Sequence, residues 1–194
     1  MVRPREFDQS EALHRAMAAF WAKGYGATSL QDLLAAMGIS KSSFYETFGS
    51  KRALFLAALE RYGDVQLEQI RAHLGGDVSP RQAIADLFEM AIDRLLTPEG
   101  RHGCFAVNTA VELAAHDPEI AAQVNGIFER MASALQPVVA RGQAANEIRA
   151  DRSAGVLAGY LVSSLGGLRV TGKARPDRTA LNDILRVALT ALDR

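Results

Sequence analysis

Hydrophobic residues recur every three or four positions along most of this chain, which is the spacing of one face of an α-helix. The first three such stretches are short, and each ends at a glycine. Glycine commonly follows the last turn of a helix, and serine or threonine commonly precedes the first. Three short helices are therefore expected: over residues 10–23, from a cap at Thr28 or Ser29 up to Gly38, and from a cap at Ser40 up to Gly49.

The remaining stretches are longer and indicate six more helices. Helix four is expected over residues 50–75 and ends at two glycines, which we take as a boundary. It would connect an N-terminal domain (1–52) to a C-terminal domain (76–194). No stretch alternates as a half-buried strand does, so the sequence predicts an all-α fold of about nine helices. The C-terminal helices are expected near residues 80–95, 104–115, 117–142, 151–170 and 181–192.

The third helix is expected to turn Phe44 and Phe48, four residues apart, toward the core. Two short helices joined by a tight turn are typical of a helix-turn-helix, whose second helix enters the major groove of DNA. The remaining positions of helix three are short, polar and able to reach base edges and phosphates: Lys41, Ser42, Ser43 and Tyr45. Lys51 opens helix four, where unpaired backbone N–H groups also favour a phosphate.

A longer set of residues carries a family resemblance: Thr28-Ser29, Leu33-Leu34, Met37 to Lys41, Ser43-Phe44-Tyr45, Phe48, Lys51 and Leu54. This set spans both helices, their turn and the start of helix four, and it resembles the DNA-binding domain of the TetR family. The resemblance implies a bacterial one-component repressor that binds a palindromic, double-stranded operator as a dimer. It also implies operator contacts from five positions: Thr28, Ser42, Ser43, Tyr45 and Lys51.

Two observations temper the case for DNA. Glu46 and Thr47 depart from the family pattern, and a carboxylate near phosphates is repulsive unless it turns away or reads a cytosine amino group. The net charge of the chain is zero; residues 1–52 hold seven basic and five acidic residues, and the rest carries −2. Phosphate binding depends on Lys and Arg, so the motif rather than the charge indicates DNA binding. Arg3 and Arg5 either follow the DNA or form an arm without that role.

The C-terminal helices supply residues for a small-molecule cavity. Asn108 and Glu112 lie one turn apart on helix six, and buried polar groups require partners, so we expect them to bind an inducer of unknown identity. Apolar residues of helices five, seven and eight would complete the cavity: Phe88, Met131 and Tyr160. Alternatively, the apolar side chains only pack the core, and the polar pair faces solvent.

Helix eight contains an unusual number of glycines, among them Gly155, Gly159 and Gly166. Glycine inside a helix is unfavourable, so close approach of another backbone is the expected compensation. Together with helix nine, which contains Leu185, this segment resembles the dimer-forming helix pair of TetR-type regulators. We therefore predict a homodimer; the alternative is a locally loosened helix.

Cys104 is the one cysteine in the chain, and it follows Arg101, His102 and Gly103. Cationic neighbours and a helix N-terminus stabilise the thiolate, which is the reactive form of cysteine. The run from Gly103 to Thr109 also resembles a segment of TetR-type regulators that respond to electrophiles or oxidants. The alternative is a small buried hydrophobe that only packs.

Other chemistry finds no support in the sequence. The histidines lack the spacing of a helix-borne metal site, and no phosphate loop or catalytic triad is recognisable, so no metal, cofactor or catalytic residue is expected. The charged N-terminus is unlike a secretory signal, and the uncharged stretch 153–168 is short for a bilayer, which favours a cytoplasmic protein without membrane contact. Two functional alternatives stay open: an all-α thiol-dependent enzyme using Cys104, and a protein-interaction module.

Overall fold

The computed structural model describes residues 7–76 and 78–194, so Arg3 and Arg5 lie outside the described part of the chain. Within these ranges there are nine α-helices and no strand. A short 3₁₀ turn (Glu99–His102) precedes α6, and a π-helical turn (Ala110–Ala114) follows it. The helices are α1 (Gln9–Lys23), α2 (Leu30–Met37), α3 (Lys41–Phe48), α4 (Lys51–Leu74), α5 (Pro80–Leu95), α6 (Phe105–Thr109), α7 (Pro118–Ala144), α8 (Ala154–Ala174) and α9 (Arg178–Thr190).

The first four helices begin and end as the sequence predicts. Gly38 has a φ of 68° at the end of α2, in the left-handed region that glycine adopts without strain. Asp32 forms a capping box with Ser29 and also accepts a hydrogen bond from Lys23 at 2.8 Å, so α1 and α2 are joined. That hydrogen bond from Lys23 holds the pKa of Asp32 below its usual range. The caps of α2, α3 and α4 are three serines, each accepting a backbone N–H: Ser29, Ser40 and Ser50.

An aromatic cluster joins the N-terminal helices to the rest of the molecule. Phe55 of α4 lies at its centre, with its ring centroid 5.0 Å from that of Phe20, 4.8 Å from that of Tyr25 and 5.6 Å from that of Phe105. Phe20, Phe55 and Phe105 are fully buried. Helices α1, α4 and α6 therefore share one close-packed cluster.

The predicted helix over residues 104–115 is in fact two elements. Cys104 is the N-cap, α6 extends from Phe105 to Thr109, and the π-helical turn continues to Ala114. A π-helical turn is a rare local variation of an α-helix, and the spacing of hydrophobic residues does not distinguish the two. Here it carries Glu112, whose carboxylate contacts the α1–α2 loop.

Helix α8 also differs from its prediction. Its cap is Ser153 rather than Asp151, because Asp151 pairs with Arg149 at 2.5 Å, and the helix continues to Ala174. By length and composition alone α8 could span a membrane, although only 28% of its most apolar window is buried within the chain. Helix α8 is therefore buried on one face only: its leucines pack inward, and the opposite face is exposed to solvent.

Candidate DNA-binding and effector sites

The outer face of α3 is polar and accessible. Phe44 is fully buried and Phe48 partly buried, as predicted, which leaves Lys41, Ser42 and Tyr45 exposed. The hydroxyl of Ser43 is half-buried and lies 2.9 Å from that of Ser40, so it supports the cap of α3. Three of the four α3 side chains predicted to contact DNA thus remain free to approach a groove.

Two residues complicate the predicted DNA-contact surface: Glu46 adds a negative charge to it, and Thr28 is not part of it. The hydroxyl of Ser42 donates to the Glu46 carboxylate at 3.2 Å, one turn along α3, so both side chains share this outer face. Thr28 corrects the prediction: its side chain is fully buried, and its hydroxyl donates to the Gly24 carbonyl at 2.5 Å. Thr28 therefore closes the α1–α2 loop from the inside and presents no hydroxyl to DNA.

Lys51 lies beside the α1–α2 loop at the first turn of α4. Its ammonium nitrogen is 4.4 Å from the centroid of the Tyr25 ring, a cation–π contact. The ring of Tyr25 in turn packs on Phe55. The position of this lysine is therefore coupled to the α1–α2 loop.

Two ionic contacts attach the segment between α6 and α7 to the N-terminal helices. The Glu112 carboxylate accepts hydrogen bonds from the backbone N–H groups of Tyr25 at 3.1 Å and Gly26 at 2.7 Å. Arg52, beside Lys51, donates to Asp117 at 2.8 Å and to Glu119 at 2.6 Å. The hydrogen bond from Arg52 lowers the pKa of Asp117, so this pair stays ionised at neutral pH.

We call these two contacts the interdomain clamp: Glu112 with Tyr25 and Gly26, and Arg52 with Asp117 and Glu119. No local sequence pattern predicted it, because its partners lie more than sixty residues apart and all of its side chains look like ordinary surface charges. The clamp holds both the loop before α2 and the start of α4. The helix-turn-helix is therefore attached to the C-terminal helices at two places.

The predicted inducer residues do not form one cavity. Phe88 and Met131 are packed in the core, with 1% and 3% of their surfaces exposed. Tyr160 lies on the exposed face of α8, beside residues of α9. Apolar residues at helical spacing pack a core or an outer face equally well, and the inducer role of these three residues stays a prediction. Asn108 and Glu112 do share a cleft, which lies between α1, α6 and α8.

Cys104 is buried, and the groups around its sulfur differ from the prediction. Arg101 and His102 are exposed, whereas the hydroxyl of Tyr62 lies 3.3 Å from the sulfur and Arg169 of α8 interacts with both groups. Burial and the neighbouring Cys104 raise the pKa of Tyr62, so the phenol stays protonated. Burial lowers the pKa of Arg169, but Cys104 and Tyr62 outweigh it and the net shift is upward. The thiol therefore faces a hydroxyl and a permanent cation.

The exposed face of α8 and α9 is largely apolar. Val156, Tyr160, Ile184 and Val187 are all exposed there. At Gly159 an added Cβ would meet no atom within 4 Å. An added Cβ at Gly155 would lie 3.6 Å from the side chain of Gln136, and one at Gly166 would lie 3.6 Å from the side chain of Val107. Leu185 corrects the prediction, because it is buried against the protein's own core and its neighbours on α9 face outward.

Family models match both halves of the chain. Residues 12–58 match the bacterial regulatory proteins of the tetR family, and residues 80–188 match the tetracyclin repressor-like C-terminal domain. The second match alone covers more than half of the chain. The chain belongs to the TetR family.

Full-length TetR-family relatives agree with this membership. YezE of Bacillus subtilis, an uncharacterized HTH-type transcriptional regulator, is 35% identical over 194 residues, which is 100% of both chains. ComR of Escherichia coli, an HTH-type transcriptional repressor, is 30% identical and matches 98% of this chain and 90% of its own length. A cysteine mutant of the TetR family regulator CifR, complexed with 26-base-pair operator DNA, matches with a TM-score of 0.85, 32% identity and coverage of 98% and 99%.

TetR-family membership confirms the predicted all-α fold and the helix-turn-helix transcriptional regulator. The individual contact residues remain predictions, and burial makes Thr28 and Leu185 less accessible to a partner than expected. Among the described residues, no group of three or more His, Cys, Asp or Glu side chains is arranged to hold a metal ion.

Proposed function

We propose that this TetR-family protein is a cytoplasmic repressor that binds a palindromic operator as a homodimer and is released by a small-molecule inducer. The exposed polar face of α3, on a fold similar to that of an operator-bound regulator, is the observation that supports this proposal most strongly. A gel shift with DNA from upstream of its own gene tests it. A specific shift is expected, whereas a protein-interaction module would give none. A thiol-dependent enzyme is not favoured, because the family models and the full-length relatives that the chain matches are transcriptional regulators.

The dimer is proposed to form through α8 and α9. Four large apolar side chains are exposed on this face, which is more than scattered surface residues explain. Grooves on both sides of the exposed α8 face offer space for facing helices, one lined by Gly159, Val162 and Gly166 and the other by Tyr160, Ile184 and Val187. Two copies related by a twofold axis would place their recognition helices on successive turns of DNA.

The interdomain clamp is proposed to set operator affinity. Replacing Glu112 by Gln removes the negative acceptor at Tyr25 and Gly26 while keeping the side-chain size. Operator affinity should fall by about fivefold or more, within the range of interdomain coupling energies. The slope of affinity against salt should not change, because no phosphate contact is lost. Fluorescence anisotropy of a labelled operator measures both quantities.

A matched control is Glu68→Gln, since Glu68 is an exposed carboxylate of α4 outside the clamp and outside the proposed dimer grooves. This control should keep the wild-type affinity. Full affinity in Glu112→Gln, or an altered salt slope, would show that the Glu112 contact has no positioning role.

Cys104 is proposed as a site for electrophiles. Its thiolate would add to the β-carbon of an unsaturated aldehyde: a C–S bond forms, the C=C π bond breaks, and the α-carbon takes a proton from water. The adduct adds volume beside Tyr62 and Arg169 in a packed core, which a well-packed site cannot accept without movement. Acrolein should release wild-type protein from operator DNA and should not release Cys104→Ser.

Mass spectrometry of the same samples should find an adduct on Cys104 in the released wild-type protein. The Cys104→Ser variant should bind the operator normally in the absence of aldehyde. Equal release of both proteins, or of neither, would leave Cys104 as a packing residue and reversible ligand binding as the switch.

A further inference from the structure

A cleft of about 370 Å³ lies between the N-terminal helix α1, helix α6 with its π-helical turn, and helix α8. We call it the α1–α6–α8 cleft. Its volume is in the range of small-molecule sites. Apolar side chains from all three helices form its walls, and polar groups stand at its ends. The apolar lining is Phe20, Trp21, Phe105, Val107, Val111 and Val170.

Two lining side chains have buried polar atoms without a partner. The indole N–H of Trp21 and the hydroxyl of Thr109 find no hydrogen bond among the described residues, and Thr109 is only 1% exposed. Buried polar groups in native proteins are nearly always paired. Both atoms are shielded from the open space of the cleft, so they mark imperfectly packed polar groups in its wall, and the case for a ligand depends on the volume and the charge of the cleft.

The charge at the rim points to an anion. Lys173 contacts only the amide oxygen of Asn108, at 3.3 Å, and no carboxylate among the described residues lies within salt-bridge distance of it. Lys23, on the opposite rim, is already paired with Asp32 at 2.8 Å. Lys173 is therefore a cation of the cleft without an ion-pair partner among the described residues, while the Glu112 carboxylate in the same lining is held by backbone N–H groups of the α1–α2 loop.

The interior of the C-terminal helices offers much less room. The cavity beside Trp21, Tyr62 and Arg169 has about 20 Å³, which is the size of one water. Phe88 and Met131 fill the core between α5 and α7. In this conformation the α1–α6–α8 cleft can accept an effector without repacking the core.

We propose that the α1–α6–α8 cleft binds a small carboxylic acid with an apolar body, with the carboxylate on Lys173. This inference rests on the proposed function and names its effector site. Glu112 lines the same cleft, so a bound carboxylate repels it and weakens its hydrogen bonds to Tyr25 and Gly26. The ligand then favours the state in which the clamp is open, and that differential affinity is what releases the operator.

Trp21 makes the site directly observable, because it is the one tryptophan in the chain and lines the cleft. Hexanoate is the probe, and hexan-1-ol is the neutral molecule of the same length. Hexanoate should change the Trp21 emission and release labelled operator over the same concentration range. Hexan-1-ol should bind at least about fivefold more weakly, since it lacks the charge-assisted contact.

Three variants separate the parts of this proposal. Lys173→Met keeps the chain length and should weaken hexanoate binding about five- to tenfold, while Arg152→Met, an exposed cation distant from the cleft, should not. In Glu112→Gln the emission change should persist, but hexanoate should no longer lower operator affinity, because the repelled carboxylate is gone.

The proposal is overturned if hexanoate at about 10 mM leaves the emission unchanged, if the alcohol binds as tightly as the acid, or if Lys173→Met binds hexanoate like wild type. None of these outcomes bears on operator binding by the protein without hexanoate. A failed proposal here is thus distinguishable from a failure of the repressor function.

Discussion

Replacing Tyr45 by Ala is expected to weaken operator binding by about 10- to 100-fold, the loss of one specific contact of about 1–3 kcal/mol. Tyr45 is 48% exposed on the outer face of α3, and its ring meets the buried Phe44 edge-on at 5.1 Å. The ring is therefore held in place by its own helix, and the phenol is free to contact DNA. Fluorescence anisotropy at several salt concentrations gives the affinity.

Lys51→Ala supplies the complementary measurement. A lost phosphate contact reduces the slope of log affinity against log salt by about 1 for each protomer. Arg152→Ala, which removes an exposed cation from the loop before α8, should leave both affinity and slope unchanged. If Tyr45→Ala and Lys51→Ala both retain wild-type affinity throughout the salt range, the contact surface is not the outer face of α3.

Gly159→Leu is expected to abolish dimerisation and to lower operator affinity by about 100-fold or more. Within one protomer an added Cβ at this position meets no atom within 4 Å, so the chain should still fold. In the dimer the same side chain would enter the proposed α8–α9 interface, where added methylenes cost about 1–3 kcal/mol. A monomer then loses the avidity of two linked half-sites.

Gly126→Leu on α7 is the matched control, because its added Cβ also meets no atom within 4 Å and it lies away from the α8–α9 face. Both variants carry the same helical Gly-to-Leu change, so circular dichroism should find both folded and helical, although the monomer lacks the stability that dimerisation adds. Sedimentation velocity should find a monomer for Gly159→Leu and a dimer for Gly126→Leu. A dimeric Gly159→Leu with normal affinity would place the interface elsewhere.

Local signals were sufficient for most of the fold. Serine caps and terminal glycines predicted α2, α3 and α4 closely, because a helix end is determined by the residues at that end. The helix over residues 104–115 was partly wrong, since the spacing of hydrophobic residues does not distinguish a π-helical turn from an α-helical one. The start of α8 was wrong by two residues because Asp151 had an ionic partner that its sequence position did not reveal.

The sequence predicted the placement of a candidate site residue correctly only where a polar residue also lies on the outward face of its helix. The outward face of α3 follows from the helical period, and Lys41, Ser42 and Tyr45 are exposed as expected. Thr28 and Leu185 were misplaced because their burial is decided by the loop and the core that enclose them. That Lys173 and Trp21 line the same cleft leaves no trace in either local sequence.

Half-site spacing tests the account most directly, because a dimer with two recognition helices requires both half-sites on one face of DNA. Operator affinity should be measured for the palindrome that the upstream DNA contains. It should then be measured for the same two half-sites separated by about five additional base pairs, which is half a helical turn. The account predicts a loss of about 100-fold or more for the longer spacing, down to the affinity of a single half-site. Equal affinity for the two DNAs would contradict a dimer that reads its operator through two α3 helices.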